Sequence, residues 1–179
     1  MFDYAVKGPM HFPSDSAYII NMLYWQAFFL ARIGVFLLAF KVPIKYLYLI
    51  QLVGTFVASV GLAASPYEAI YYFVFSTLFG FFKSALFPST FGVLSRVATI
   101  SGFVTLFVNA GSAAGAVAMQ SLTGYLIETV GHFTFPYIVL ATSIILMLCG
   151  IIFTWMVERQ YRIQKRDQSN LEMAVSNKN

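Results

Sequence analysis

Charge is what this chain has least of. Only 10% of its 179 residues are Asp, Glu, Lys or Arg, against roughly 25% in a typical soluble domain. So few charges cannot cover a water-facing surface. With 59% hydrophobic residues and a mean hydropathy of +0.76, the expected solvent is lipid. Cysteine is reduced to Cys149, which excludes an internal disulfide and a cysteine metal site. In its apolar run it reads as a small lipid- or core-facing residue. No signal peptide is visible in residues 1–16, which carry Asp3, Lys7, Pro9 and Pro13 and no apolar h-region. Gly-rich phosphate loops, zinc spacings and a His/Asp/Ser set within any apolar segment are absent. His11 and His132 lie far apart, so no catalytic, cofactor or metal site is expected and the chain reads as a non-enzyme. The net charge of +4 is not spread as a nucleic-acid-binding face requires, since four cations crowd between Arg159 and Arg166.

What is present in quantity is long apolar sequence. A membrane-crossing helix takes about 20 predominantly apolar residues, and five segments qualify, at about 17–40, 46–65, 69–94, 97–127 and 133–157. Arg32 interrupts the first and Lys83 the third; none contains Asp or Glu. Pro43, Pro66 and Gly131-His132 punctuate the joints, and no connection has room for a soluble domain. The expected fold is an all-α membrane protein, with a five-helix transmembrane domain over 17–157 flanked by segments 1–16 and 158–179. If the spans alternate, Lys41, Lys45, Arg96, Arg159, Arg162, Lys165 and Arg166 share one side. Asp3, Asp15, Glu68 and Glu128 share the other, joined only by Lys7. The positive-inside rule then makes 158–179 a cytoplasmic tail and 1–16 an extracellular segment. Tyr46, Tyr48, Tyr67, Tyr125, Tyr137 and Trp155 near the span ends suit interfacial anchoring. The polar tail is expected to be solvated and mobile. Its basic start suits anionic lipid heads, and the plain topological signal accounts for it equally. An odd span count with the first residues outside makes residues 1–12 read as the end of a helix whose earlier part is missing. The expectation is a fragment, a truncated gene model or a short isoform.

Helical periodicity sorts the faces. Asn21, Tyr24, Trp25, Phe28 and Arg32 share one face of the first span. Amides, rings and a cation in one stripe suit a sugar, whose CH faces pack on aromatics and whose hydroxyls bond to amides. Helix packing with Arg32 reaching toward the interface is the plainer alternative. In the fourth span Thr105, Asn109, Ser112, Gln120 and Thr123 fall within about 80° of arc, and such a stripe must face protein or a wet cavity. Gly111 and Gly115 form a small-xxx-small pair on another face, and Gly54, Ala58 and Gly61 make a similar packing stripe in the second span. The third span carries Tyr72, Ser76, Gly80, Lys83 and Phe87 on one face, with Lys83 near the bilayer midplane. A lysine there needs a partner or a water-filled cavity. Pro88 cannot donate an amide hydrogen to the carbonyl of Ser84, so a kink and a free acceptor are expected beside it. Lys83 then faces the cavity or gates it, or is satisfied by carbonyls at a helix contact.

In order and spacing the chain resembles the C-terminal half of a major facilitator superfamily transporter. It resembles the branch that holds the sodium-dependent glucose transporters and is similar to the bacterial fucose permeases. Tyr4-Ala-Val-Lys7 resembles the outer end of the family's seventh helix. Ala31-Arg32, followed after eight residues by Lys41-Val-Pro-Ile-Lys45, resembles the Gly-Arg and basic turn after its eighth. Phe87-Pro-Ser-Thr90 resembles the tenth, and Gly111-Ser-Ala-Ala-Gly115 through Gly124 the eleventh. The resemblance implies twelve helices in two six-helix halves rocking about a central site. Helices in the positions of the first, third and fourth spans would line the cavity, and the second and last would lie outside. Ala31 stands where the family tends to have glycine, and Ala116 where relatives often carry glutamate.

These readings converge on a plasma-membrane transporter, or part of one, for a small polar solute, hexose first, with the lipid bilayer and a missing N-terminal half as partners. An anionic solute drawn by Lys83 and Arg32 is the alternative, and a truncated membrane protein without transport of its own is the rival. A coupling ion, sodium or proton, would need intramembrane carboxylates, which these spans lack.

Overall fold

The computed structural model describes residues 2–8, 11–64 and 68–176. They form α-helices joined by short turns, with no strand among the described residues: α1 (Phe2–Lys7), α2 (Ser14–Ala39), α3 (Ile44–Ala64), α4 (Ala69–Lys83), α5 (Leu86–Leu94), α6 (Gly102–Val130) and α7 (Phe135–Ser176). Taking α4 and α5 as one interrupted span, five helices among the described residues are long and apolar enough to cross a membrane. The sequence-predicted joint at Pro66 and the anchor Tyr67 lie outside the described residues.

Local chemistry explains the ends. Pro13 precedes α2, and Asp15 in the first turn meets the positive end of the helix dipole. Pro43 separates α2 from α3. The expected start of the fourth span at Val97 is wrong by about a turn: residues 97–101 are non-helical and α6 begins at Gly102. Ser101 caps it by accepting a bond from the Val104 amide at 3.4 Å. At its other end Gly131 takes φ +116°, a value L side chains rarely adopt, and a 3₁₀ turn (His132–Thr134) leads into α7. The tail, expected to be solvated and mobile, is exposed over residues 162–170 and continues α7 as a helix to Ser176. No Gly or Pro interrupts residues 151–176, and Arg, Lys, Gln, Glu, Leu and Met are good helix formers.

α3 is the central post, packed against α4, α5 and α7, while α2 packs on α4. Two buried clusters fill these contacts. Tyr4, Ile20, Leu62, Tyr72 and Phe79 belong to the one nearer the chain start; Tyr48, Leu52, Leu86, Val93 and Val157 make up the other. Tyr48 is therefore a core residue, not the interfacial anchor its position suggested, whereas Tyr46, Tyr125, Tyr137 and Trp155 are exposed. In lipid, helix association rests on close packing more than on escape from water. The Gly54, Ala58 and Gly61 stripe provides it: a Cβ at Gly54 would run into the Phe82 ring and one at Gly61 into Phe75. Gly54→Val and Gly61→Val are each expected to destabilise the bundle by about 1–3 kcal/mol in detergent unfolding. Gly34→Ala, where a Cβ meets nothing, is the control and should be neutral; equal melting of all three would remove this packing account.

α6 behaves differently. None of its described residues is buried, and it meets the rest of the chain near the 3₁₀ turn and α7. Added Cβ atoms at Gly111 and Gly115 meet only open space. Its small-residue face has no partner among the described residues.

Candidate functional site

Between α2 and α4 on one side and α6 and the start of α7 on the other lies an open cavity of about 480 Å³. Asn21, Tyr24 and Trp25 come from α2, Phe79 and Lys83 from α4, Met119, Gln120 and Thr123 from α6, and Phe135, Ile138, Val139 and Thr142 from α7. Amides, hydroxyls and one cation thus share a wall with rings. Trp25 stands edge-on to both Tyr24 and Phe28, with centroids at 5.3 and 5.4 Å, and is 57% exposed. Phe28 carries the Arg32 guanidinium 4.8 Å from its ring centroid. Lys83 is exposed toward the cavity, with Nζ 5.2 Å from the Phe79 centroid.

Several sequence-predicted residues lie elsewhere. Tyr72 and Ser76 share a helical face with Lys83 but do not line the cavity. Tyr72 packs in the core 5.4 Å from the Tyr4 ring, and Ser76 is fully buried, donating to the Phe73 carbonyl at 3.1 Å. Gly80 lets the Tyr24 backbone and ring approach α4. The reason is depth: Tyr72 and Ser76 lie on buried positions of the earlier turns of α4, which packs on α2 and α3, whereas Lys83 ends the helix beside the cavity. Thr105, Asn109 and Ser112 do not line this cavity, and Asn109 donates to the Thr105 carbonyl at 2.9 Å. Only the later part of the stripe, Gln120 and Thr123, reaches the cavity. The last span, expected outside, contributes four lining residues, because the turn at Gly131 folds α7 directly back beside α6.

The kink expected at Pro88 is present, and its acceptor is taken. α4 ends at Lys83, Ala85 adopts φ −107° and ψ 6°, and the ladder restarts where the Ser89 amide donates to the Ala85 carbonyl at 2.9 Å. Arg32 Nε donates to the Ser84 carbonyl at 3.0 Å. Arg32 therefore joins α2 to the break instead of reaching for the interface. A second cavity, of about 430 Å³, opens beyond this contact, lined by Arg32, Phe36, Ile44, Pro88 and Ser89 among others.

Sequence reasoning missed Glu158. Lys45 and Arg96 reach its Oε2 at 3.4 and 3.9 Å, and Arg162 reaches Oε1 at 3.7 Å. Gln164 Nε2 donates to the Val97 carbonyl at 3.1 Å beside it. The start of α3, the α5–α6 connection and α7 are thereby tied at one level. A signal was available: Glu158 follows the last apolar span directly and is the one carboxylate close to the basic span ends of that side. Gln51 was missed as well. Buried in α3, it accepts from Ser89 Oγ at 3.3 Å, and its Nε2 has no hydrogen-bond partner among the described residues. Among the described residues no three His, Cys, Asp or Glu side chains converge as a metal site requires.

No family model matches the sequence, and no solved structure matches it. Curated relatives do. The chain is 24% identical over 153 residues to major facilitator superfamily domain-containing protein 4A of Danio rerio, covering 86% of this chain and 27% of the relative. It is 26% identical over 153 residues to domain-containing protein 4B of the same fish, covering 86% and 28%. Against sodium-dependent glucose transporter 1 of Danio rerio it is 28% identical over 139 residues, covering 76% and 23%. The chain thus spans less than a third of the length of these relatives. With five apolar helices among the described residues, it is a multi-pass membrane chain that is similar in sequence to proteins named for the major facilitator superfamily.

Proposed function

We propose that this chain forms one wall of the solute pathway in a secondary transporter for a small polar solute, with a hexose as the first candidate, working by alternating access. The observation that carries the reading is the cavity of about 480 Å³ in which Trp25 sits with the amides of Asn21 and Gln120 and the hydroxyls of Thr123 and Thr142. Its volume lies within the range of small-molecule sites. One relative is named as a glucose transporter, which points the same way. The remaining wall would come from a second half, since the relatives are more than three times as long. On the positive-inside rule the Glu158 end is cytoplasmic and the site opens in the plasma membrane toward the opposite face. Radiolabelled hexose uptake by the full-length protein is expected to fall at least tenfold with Trp25→Ala and severalfold with Gln120→Ala, as loss of a stacking surface and of an amide implies. Unchanged uptake in both would remove the sugar site.

A second reading has its own support. Lys83 faces the cavity, and among the described residues no carboxylate lines it, so a carboxylate-bearing solute would supply the missing counter-charge in a low-dielectric site. Competition of hexose uptake by small carboxylates separates the two readings. Coupling to sodium or protons, if it operates, draws on carboxylates outside the cavity-lining residues of this chain.

A further inference from the structure

The continuation of α7 beyond the membrane span changes what its cations are. On a flexible tail, Arg159, Arg162, Lys165 and Arg166 would be scattered charges; on one helix at about 100° per residue they fall within roughly 120° of arc. Trp155 lies inside the same arc, one turn nearer the apolar part of the helix. It is 63% exposed, and the Arg159 guanidinium is 5.8 Å from its ring centroid. The bundle-facing side is different: Val157 is buried, Tyr161 lies under the Arg96 guanidinium at 4.7 Å, and Gln164 bonds to Val97. The basic arc therefore looks away from the protein, at the level where the helix leaves hydrocarbon.

Acidic groups do not neutralise it. Glu158 lies within the arc, but its carboxylate is engaged by Lys45 and Arg96 as well as Arg162. Asp167 points roughly opposite, and Glu172 lies about two turns beyond Lys165. Two hollows open along the arc. One of about 180 Å³ is lined by Trp155, Glu158, Arg159 and Arg162, and one of about 360 Å³ by Arg162, Lys165, Arg166, Ser169 and Asn170. Guanidinium groups above an exposed indole at a membrane boundary suit a phospholipid whose phosphate and carboxylate meet the cations while its glycerol and upper chains meet the ring.

We propose that this face of α7 is a docking surface for anionic phospholipid headgroups of the adjacent leaflet, anchoring the end of the bundle where Glu158 ties α3, the α5–α6 connection and α7 together. The test uses the full chain carrying Trp25→Phe. The sequence has two tryptophans, so Trp155 alone then reports. The protein is reconstituted in phosphatidylcholine vesicles containing either brominated phosphatidylserine or brominated phosphatidylcholine at equal label density. Brominated phosphatidylserine is expected to quench Trp155 more strongly, and raised salt should remove the excess. Each cation contributes about fivefold to local lipid partitioning at low salt. Arg159→Gln/Arg166→Gln should therefore abolish most of the excess, and Arg159→Lys/Arg166→Lys should keep it. Neither residue takes part in the Glu158 ion pairs. Equal quenching by the two lipids in the parent chain, or an excess that survives the double glutamine variant, overturns the proposal and leaves the cations as a topological signal alone.

Discussion

Replacing Arg32 with leucine is expected to lower the stability of the bundle by about 2 kcal/mol, and most of that loss should disappear when Pro88 is also replaced by alanine. The reasoning starts at one carbonyl. Pro88 has no amide hydrogen, so the oxygen of Ser84, four residues earlier, has no helical donor. Ser84 is buried at 1% exposure, which keeps water from substituting. Arg32 Nε supplies the bond at 3.0 Å, and a bond from a charged donor is worth about 1.5–3 kcal/mol. Leucine removes the donor and the guanidinium over Phe28 together. Alanine at position 88 restores an amide that can donate to Ser84 within the helix, so the carbonyl no longer depends on α2. The double-mutant cycle, read from unfolding midpoints in detergent, should therefore show a coupling of about 1 kcal/mol or more. Strictly additive losses would mean that Arg32 stabilises the bundle by some route other than the kink.

That contact also separates what a sequence discloses from what it withholds. The orphan carbonyl follows from a local rule, because proline acts on a residue four positions away. Its partner lies 52 positions away and depends on how α2 crosses α4, which no periodicity encodes. The α4 face behaves likewise. Tyr72, Ser76 and Lys83 share an azimuth, and the sequence states that much, but azimuth does not say which turns meet a neighbour. Tyr72 packs against Tyr4 of α1 and Ser76 is buried, whereas the helix breaks just past Lys83, beside the cavity. The α6 stripe is polar along its length, yet only Gln120 and Thr123 reach the cavity, because the Gly131 turn holds just that end of α6 against α7. The five spans were legible since membrane solvation imposes its pattern on every residue of a helix. The Glu158 node was not, since it unites charges from α3, the α5–α6 connection and α7.

Lys83→Met is expected to move stability and transport in opposite directions. A cation at membrane depth is costly, by about 2.5–3.5 kcal/mol at a helix centre. Among the described residues Lys83 has no carboxylate to offset that cost; the Phe79 ring at 5.2 Å is a weak substitute. Methionine keeps the length of the side chain, removes the charge and can hold a sulfur contact with the same ring. The folded chain in bilayer should therefore gain about 1–3 kcal/mol, seen as a higher unfolding midpoint. Solute uptake by the full-length protein should fall at least tenfold, since the cavity loses its one cation among the described lining residues. The substrate that loses uptake then identifies the solute class: collapse confined to carboxylates supports the anion reading, and collapse of hexose uptake assigns the ammonium to sugar hydroxyls. The combination that would defeat a cavity role is reduced stability with uptake intact. A lysine held in the membrane for structure is missed by the fold when it goes, whereas a lysine held there for a solute is missed only by the solute.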